Sequence, residues 1–343
     1  MPRRVLMTSY YMPSASKIGV GHQVHLLANE LVSQGYDVTV ATPAPETAGA
    51  RYRTVTIPLA GRWRTFRWAF ALRRLDMSGF DVLHAHGDDY WLWRRRTPLH
   101  VRTMHGSCLA EALRIGGAKE RFRMFLLGLG EILATLVADT TVAVSQNTRT
   151  WMPWIREVIP NGVDLTRFAD EGARAGSPTI VFVGTYENRK RGRLLMQVFD
   201  EQVRRQVPGA QLWMVCSDAP PAAGVEVTGY LTDDQLAERY SRAWVFCTPS
   251  TYEGFGIPYI EALAAGTPVV ATPNPGSLEL TGTCSSIVLV DDEGLGPALV
   301  KALQAPPDAD TQQAARDEAG RFDITNVAAE YGRIYDRPQG RTV

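Results

Sequence analysis

The segment Ser250-Thr251-Tyr252-Glu253-Gly254-Phe255-Gly256-Ile257-Pro258-Tyr259-Ile260-Glu261-Ala262-Leu263-Ala264-Ala265-Gly266-Thr267-Pro268-Val269-Val270-Ala271-Thr272 holds two carboxylates in the frame Glu-x7-Glu around a short glycine loop. Pro258 marks a helix start, because proline's missing N–H costs nothing at the first helical position and its φ is already helical. Glu253 and Gly254-Phe255-Gly256 therefore fall in the preceding loop, and Glu261 within roughly the first turn. A helix N-terminus beside glycines is a ready anion site. Two carboxylates next to such a site point to a ligand with hydroxyls as well as phosphates. Val245–Thr248 reads as the strand that feeds this segment and Thr267–Ala271 as the strand that leaves it.

Upstream, Thr179–Val183 is a strand followed by the turn Gly184–Gly192, with the three cations Arg189, Lys190 and Arg191, and by a helix over Leu194–Gln206. Those cations are the partners an anion needs, or else an ordinary solvated charge run. Gln211–Cys216 and Val225–Val227 are further strands, and Thr232-Asp233-Asp234-Gln235 has the spacing of a capping box, so its acids need no metal role. Ile287–Val290 is a last strand and Glu293–Leu303 a helix.

The first half repeats the alternation. Val5–Ser9 is a strand, Lys17-Ile18-Gly19-Val20-Gly21 a glycine turn, His22–Gln34 a helix with Val24, Leu27, Ala28 and Leu31 at helical spacing, and Tyr36–Ala41 a strand. In a doubly wound sheet ligands bind at such strand-to-helix turns, although a glycine pair reads equally as a plain structural turn. Phe80–His86 and Leu99–Met104 are strands, the second ending at His105-Gly106. His105 stands where such a sheet places chemistry, and a hydrogen-bonded turn histidine is the alternative. Gly61–Leu75 interleaves Trp63, Phe66, Trp68 and Phe70 with five arginines. It reads as a crossover helix packing Trp63, Phe66 and Phe70 on the sheet, or as a basic-aromatic surface for an anionic membrane or an acceptor. Glu120–Ala138 is apolar enough to predict a buried helix.

The whole chain has 343 residues, equal numbers of Lys+Arg and Asp+Glu (36 each) and four scattered cysteines. The length suits two domains, and the balanced charge removes the usual electrostatic argument for nucleic-acid binding. The cysteines form no metal or disulfide pattern. No apolar run approaches the roughly 18 residues of a membrane span, and the N-terminus reads as a first strand and not as a leader. The expected division is 1–168, 169–323, and a helix and tail over 324–343 that returns to the first domain. The expected location is the cytoplasm, with peripheral contact at the inner membrane face through 61–75.

Several segments resemble the retaining glycosyltransferases of the GT-B fold, in the large family that includes bacterial mannosyl- and glucosyltransferases and sucrose synthase. They are Glu253-Gly254-Phe255-Gly256-Ile257-Pro258 with Glu261–Val270, Asn161-Gly162-Val163-Asp164, the Gly184–Lys190 turn, His105-Gly106, Val142–Ser145, and the Gly19 loop. The resemblance implies an α/β architecture of two Rossmann-like doubly wound domains facing a cleft. It implies that Glu261 binds the ribose diol of a nucleotide diphosphate sugar, Glu253 the hydroxyls of the donor sugar, and the amides of Gly254, Phe255 and Gly256 the sugar and phosphates. Lys190, with Arg189, would neutralise the diphosphate leaving group, Gly19 would approach that diphosphate, His105 would sit at the sugar, and Tyr230 would border the base. Catalysis would fall to Glu253, His105 and Lys190. Thr185 stands where many members have an arginine after the glycine, and Ile18-Gly19 where they have a glycine pair.

The function expected is sugar transfer to a hydroxyl with retention, with no metal and no cofactor beyond the donor as co-substrate. The acceptor expected is a small soluble sugar or natural product, with a lipid-linked or polysaccharide acceptor at a membrane surface as the alternative. An epimerase or phosphorylase on the same fold, and a non-catalytic nucleotide-sugar binding protein, are the rival readings.

Overall fold

A computed structural model of the chain describes residues 1–15, 19–59, 61, 63–92, 99–113, 117–168 and 172–337. Lys17, Ile18 and Arg62, used in the readings above, lie outside the described residues. The chain divides into two compact units, Met1–Gly162 with Ile324–Val343, and Val163–Asp323. The break falls beside the Asn161-Gly162 turn, some residues before the expected 168/169 junction.

The first unit carries seven strands: β1 (Arg4–Thr8), β2 (Asp37–Thr42), β3 (Arg53–Thr56), β4 (Val82–Ala85), β5 (Leu99–Met104), β6 (Thr140–Ala143) and β7 (Glu157–Val158). All pairs are parallel, in the order β3-β2-β1-β4-β5-β6-β7. The strand order reverses at β1, which has β2 on one side and β4 on the other. β4 and β5 are buried along their whole length, as strands of a sheet covered on both faces must be. The helix Gly19–Ser33 buries Val24, Leu27, Ala28 and Leu31, the residues its period marks as inward. It starts three residues before the expected His22, so Gly19 is its first residue and not part of a loop. Gly35, at φ +91°, closes it, and the Tyr36 amide reaches back to the Leu31 carbonyl.

The C-terminal helix Ile324–Tyr335 belongs to this first core. It buries Val327, Ala328, Tyr331, Ile334 and Tyr335 in one cluster with Val24, Leu27 and Leu31. Two of its tyrosines are pinned to the sheet: the Tyr335 hydroxyl bonds His84 Nδ1 (2.7 Å), and the Tyr331 hydroxyl bonds Thr103 Oγ1 (2.8 Å).

The second unit holds β8 (Thr179–Val183), β9 (Gln211–Val215), β10 (Val225–Val227), β11 (Val245–Thr248), β12 (Val269–Ala271) and β13 (Ile287–Leu289). They are parallel in the order β10-β9-β8-β11-β12-β13, with the reversal at β8. The helix Asp233–Arg242 starts with the capping box read from Thr232 and Gln235. The helix after β8 runs Gly192–Val198, passes through a π turn at Phe199–Val203 and ends at Arg204–Gln206.

Two expectations in the first unit fail. The helix Ala118–Val137 is not buried: Phe122, Phe125, Leu126, Leu129, Leu133 and Leu136 are each 40–70% exposed. Its inward face is Met124, Gly128, Ala134 and Thr135, mostly small residues. Leu109 lies so close to Gly128 that a Cβ there would sit 2.5 Å from its Cδ2, and Ala134 is fully buried. The second failure is the helix Arg64–Leu72, which packs Trp68, Ala69 and Leu72 inward, whereas Trp63 and Phe70 are exposed. Five elements show no readable apolar period: the helices Cys108–Ala112, Gln146–Thr150, Pro275–Thr281 and Ala309–Ala319, and β7. The first three helices and β7 are too short to show a period. The fourth is polar and alanine-rich, with only Ala315 and Ala319 buried.

Candidate active site

Parallel sheets bind ligands at the carboxyl ends of the strands where the order reverses. In the second unit that place lies between β8 and β11, and the loops leaving both strands meet there. After β8 comes the turn to Lys190, and after β11 the loop to Gly256. Lys190 Nζ lies 2.7 Å from Glu253 Oε1, and Arg189 Nη1 lies 3.0 Å from Glu253 Oε2. Ser250 Oγ also donates to Glu253 Oε1. The backbone joins the loops as well: the Thr251 amide donates to the Arg189 carbonyl at 2.9 Å, and Arg189 Nη1 donates to the Tyr252 carbonyl at 2.7 Å.

Glu253 and Lys190 are nearly enclosed, at 8% and 12% side-chain exposure, while Arg189 is 53% exposed. Burial by itself pushes the Glu253 carboxyl up. Lys190 and then Arg189 outweigh it, with hydrogen bonds from Lys190 and Ser250, and hold the group below the usual carboxylate range. Burial likewise lowers the Lys190 ammonium, and Glu253 opposes that fall. Two basic groups therefore face one carboxylate in this half-closed site, an excess of one cation over the acid.

The third cation of the turn has another task. Arg191 donates through Nε to the Pro249 carbonyl and through both terminal nitrogens to Asp292 (2.7 and 2.8 Å), so it straps the turn to β11 and to the loop after β13. Asn188 and Arg191 both sit at left-handed φ, +64° and +51°. Such angles are uncommon for residues other than glycine and persist only where their surroundings enforce them. They bring Arg189 and Lys190 round onto Glu253.

The helix Ile257–Ala264 starts as predicted, with Pro258 in its first turn and Gly256 as N-cap at φ +97°. Only glycine fits that position, since a Cβ would fall 2.3 Å from the Tyr259 ring. Phe255 turns its ring into the core against Phe322, so only its backbone is available to a ligand. Glu261 is half-buried, and Tyr240 donates to its Oε2 at 3.1 Å. Burial raises its pKa against that bond and against Arg167. One carboxylate oxygen therefore already has a donor, and the other suits a hydroxyl.

In the first unit the reversal lies between β1 and β4, with the end of β5 beside it. It is built from imidazoles. His86, directly after β4, places Nδ1 3.0 Å from Nε2 of His105, directly after β5, with the rings stacked at 5.3 Å. His84 is enclosed between Tyr335 and Thr103. Burial pulls His84 down to about 3 and His105 to about 4, and lowers His86 too, so all three are neutral near pH 7. A single proton is shared in the His86–His105 contact. Of the remaining ring nitrogens, His86 Nε2 has no hydrogen-bond partner among the described residues, and the Asn161 side chain reaches the His105 ring. The Asn161 turn is clamped by Gln23, whose amide exchanges two 3.0 Å bonds with the Gly162 backbone. Beneath them Asp89 pairs with Arg102 and, at 3.0 Å, with His100.

The structure thus brings Glu253, Lys190 and Arg189 into contact, with Gly254, Phe255, Gly256 and Glu261 on the same loop and helix. Gly19 is exposed at a helix start in the first unit. Tyr230 is 68% exposed and hydrogen-bonds weakly to Ser217 at 3.5 Å. Sequence reading missed Ser250, Gly276 and His86, and it took Arg191 with the anion-binding cations, whereas Arg191 holds Pro249 and Asp292. The Gly276 amide donates to the Glu253 carbonyl at 2.9 Å, and a Cβ there would meet Glu253 Cβ at 2.9 Å. Its signal was Pro273-Asn274-Pro275-Gly276, a turn cluster that opens a capped helix. Among the described residues no group of three or more His, Cys, Asp or Glu could hold a metal ion.

Two doubly wound parallel sheets, each with a polar pair at its strand-order reversal, define a protein of the GT-B class. A family model described as "Glycosyltransferase Family 4" matches residues 18–167, and one described as "Glycosyl transferases group 1" matches residues 177–305. Together they take in most of the chain, which belongs to these glycosyltransferases. It is similar to the GDP-mannose:cellobiosyl-diphosphopolyprenol alpha-mannosyltransferase of Komagataeibacter xylinus, at 27% identity over 78% of this chain and 74% of the relative. It is also similar to the phosphatidyl-myo-inositol mannosyltransferase of Mycolicibacterium smegmatis, at 27% identity over 94% of this chain and 91% of the relative. In fold it is similar to the sucrose-phosphate synthase of Thermosynechococcus elongatus, with a TM-score of 0.78 and 20% identity over 97% of this chain and 98% of that one.

Proposed function

We propose that this glycosyltransferase moves a sugar from a nucleotide diphosphate sugar to an acceptor hydroxyl with retention of anomeric configuration. The observation that carries the reading is the buried Lys190–Glu253 pair, with Arg189, at the carboxyl ends of β8 and β11. Breaking the anomeric bond leaves a diphosphate whose charge grows in the transition state, and preorganised cations and amides are what such a step needs. Lys190 and Arg189 supply the cations here, and the leaving group requires no divalent ion. In this reading Glu253 binds hydroxyls of the donor sugar while it holds Lys190 in place, and Glu261 binds the ribose diol. The Gly254, Phe255 and Gly256 amides contact the sugar and phosphates, Gly19 the diphosphate and His105 the sugar, and Tyr230 borders the base.

The test is Lys190→Ala, assayed at saturating donor with an excess of chelator. Removing one such donor typically lowers turnover on the order of a hundred- to a thousandfold, and the wild-type rate should survive the chelator. Near-normal turnover of the variant would remove the assignment, and proton NMR of the first-formed product reads the anomeric configuration.

For the acceptor we favour the lipid-linked alternative over a small soluble molecule. Two relatives, each similar over most of this chain, bear names that specify a diphosphopolyprenol and a phosphatidyl-myo-inositol acceptor. The exposed apolar helix of the first unit is the kind of surface that approach to such an acceptor needs.

A further inference from the structure

On the helix Ala118–Val137 the residues Phe122, Phe125, Leu126, Leu129, Leu133 and Leu136 recur at three- and four-residue steps. At 100° per residue they share an arc of about 100°, and from Phe122 to Leu136 they make a stripe roughly 20 Å long. Exposed apolar residues scattered singly need no explanation, but a contiguous patch of this kind marks an interaction surface.

The surroundings of the stripe identify what it meets. Val137, at its C-terminal end, packs into the same cluster as Trp68 and Leu72 of the helix Arg64–Leu72. That helix adds exposed Phe70, with the guanidinium groups of Arg73 and Arg74 at 5.9 and 5.4 Å from its ring centre, and exposed Trp63. Trp154 is half-exposed and donates from Nε1 to Thr135 Oγ1 of the stripe's helix at 3.0 Å. Lys119, Arg121 and Arg123 stand at the N-terminal end, and Arg123 pairs with Glu120. The other acid of the helix, Glu131, is turned inward onto the Cys108 amide (2.9 Å).

An apolar stripe rimmed by tryptophan and cations, with few outward acids, is the composition of an element that lies in the headgroup layer of an anionic bilayer. A second copy of the chain could use the same four-three spacing. The positions that flank the seam 122-126-129-133-136, however, are Arg123, Phe125, Gly130, Ile132 and Val137. The one charge among them, Arg123, is already paired with Glu120 of its own helix, so no complementary set fixes a register as in a paired helix seam.

We propose that the helix Ala118–Val137 and the adjoining helix Arg64–Leu72 form a docking face for the surface of an anionic lipid bilayer, with the stripe in the headgroup layer and the arginines over the lipid charge. The inference rests on the lipid-acceptor reading for its purpose. Its surface is tested independently of turnover. No helix among the described residues is long and apolar enough to cross a membrane, so the attachment is peripheral.

Cosedimentation of the full chain with vesicles of phosphatidylcholine alone, or with added phosphatidylglycerol, tests the proposal. Wild type should bind the mixed vesicles and lose binding in high salt. L129E/L133E should bind on the order of a hundredfold more weakly, because each buried leucine is worth tenfold or more. R73E/R74E should lower affinity for the anionic vesicles about fivefold per charge removed, and more with reversal, with little change on phosphatidylcholine. Both variants alter exposed residues, so circular dichroism and donor binding should match wild type. Wild-type failure to bind anionic vesicles overturns the proposal, as does binding unchanged in L129E/L133E. So does a stable wild-type dimer in light scattering that L129E/L133E converts to monomer, because the face would then belong to a second copy. Vesicle binding without any sugar transfer would refute the proposed function and leave the docking face standing.

Discussion

The two units place opposite chemistry at the same position of the same kind of sheet. Where the strand order reverses at β8 and β11, the second unit holds an ammonium, a guanidinium and a carboxylate in contact. Where it reverses at β1 and β4, the first unit holds stacked neutral imidazoles. A topology that repeats does not fix the charge at its mouth; the residues of the loops do. The charged mouth suits a leaving anion. The neutral one offers ring nitrogens that donate or accept a hydrogen bond without adding charge.

The largest difference should appear when each contact is broken by a single substitution. Glu253→Gln removes the negative charge that keeps Lys190 ionised in a nearly enclosed site, and breaking a buried pair typically costs about 3–5 kcal/mol. The low end is expected here, because Arg189 is half-exposed. His86→Gln removes one neutral contact, worth about 1 kcal/mol. Urea unfolding of the two variants measures the ratio. Equal losses would mean that the charged contact is no more committed than the neutral one, and the contrast would fail.

Acid should separate the units next. Burial depresses His84 to about 3 and His100 and His105 to about 4, from the ordinary 6.5, and lowers His86 too. In each case the unfolded chain takes up a proton that the folded chain refuses, so stability present above about pH 6.5 is lost as pH falls towards 4. Burial also raises Asp88 to about 7 and raises Glu131, and these hold protons when folded, which works the other way in the same window. The four depressed imidazoles outnumber the raised carboxyls, so unfolding takes up protons in this window, and each net proton is worth about 1.4 kcal/mol per pH unit. Hydrogen exchange of β4 and β5 at pH 7, 5.5 and 4.5 reads this locally. Protection that holds steady or rises in acid would show that the imidazoles are not held neutral.

How much of this was legible in the sequence follows from what each residue does locally. Pro258 after a glycine starts a helix wherever it stands, and the alternation of strand and helix is written in local period. The Glu253, Lys190 and Arg189 roles came from resemblance, and their mutual contact came from neither source. It depends on two left-handed angles, at Asn188 and Arg191, that no spacing shows. His86 was read only as the end of a strand, because its partner lies on the next one. The helix Ala118–Val137 misled for the reverse reason: its leucines look like a core, but Gly128 and Ala134 let it pack closely on its other face. A pattern tells which face is apolar and not whether anything covers it.

The smallest effect sharpens the comparison furthest. Arg189 is half-exposed, so its 3.0 Å pair with Glu253 is screened, and Arg189→Ala should change stability by less than about 1 kcal/mol. Yet Arg189 is the cation in excess. Without it Lys190 and Glu253 cancel, and the charged mouth becomes as neutral as the imidazole one. If the surplus charge serves the diphosphate, donor KM should rise about tenfold, the order of one charge-assisted contact. Added salt should also weaken donor binding less in the variant than in wild type, since one exposed cation fewer is left to screen. The same substitution tests whether Arg189 takes the place of the arginine that many members of the family have where Thr185 stands. A variant with unchanged KM and unchanged salt dependence would assign the work to Lys190 and the loop amides alone, and the difference between the two mouths would then lie in buried geometry and not in net charge.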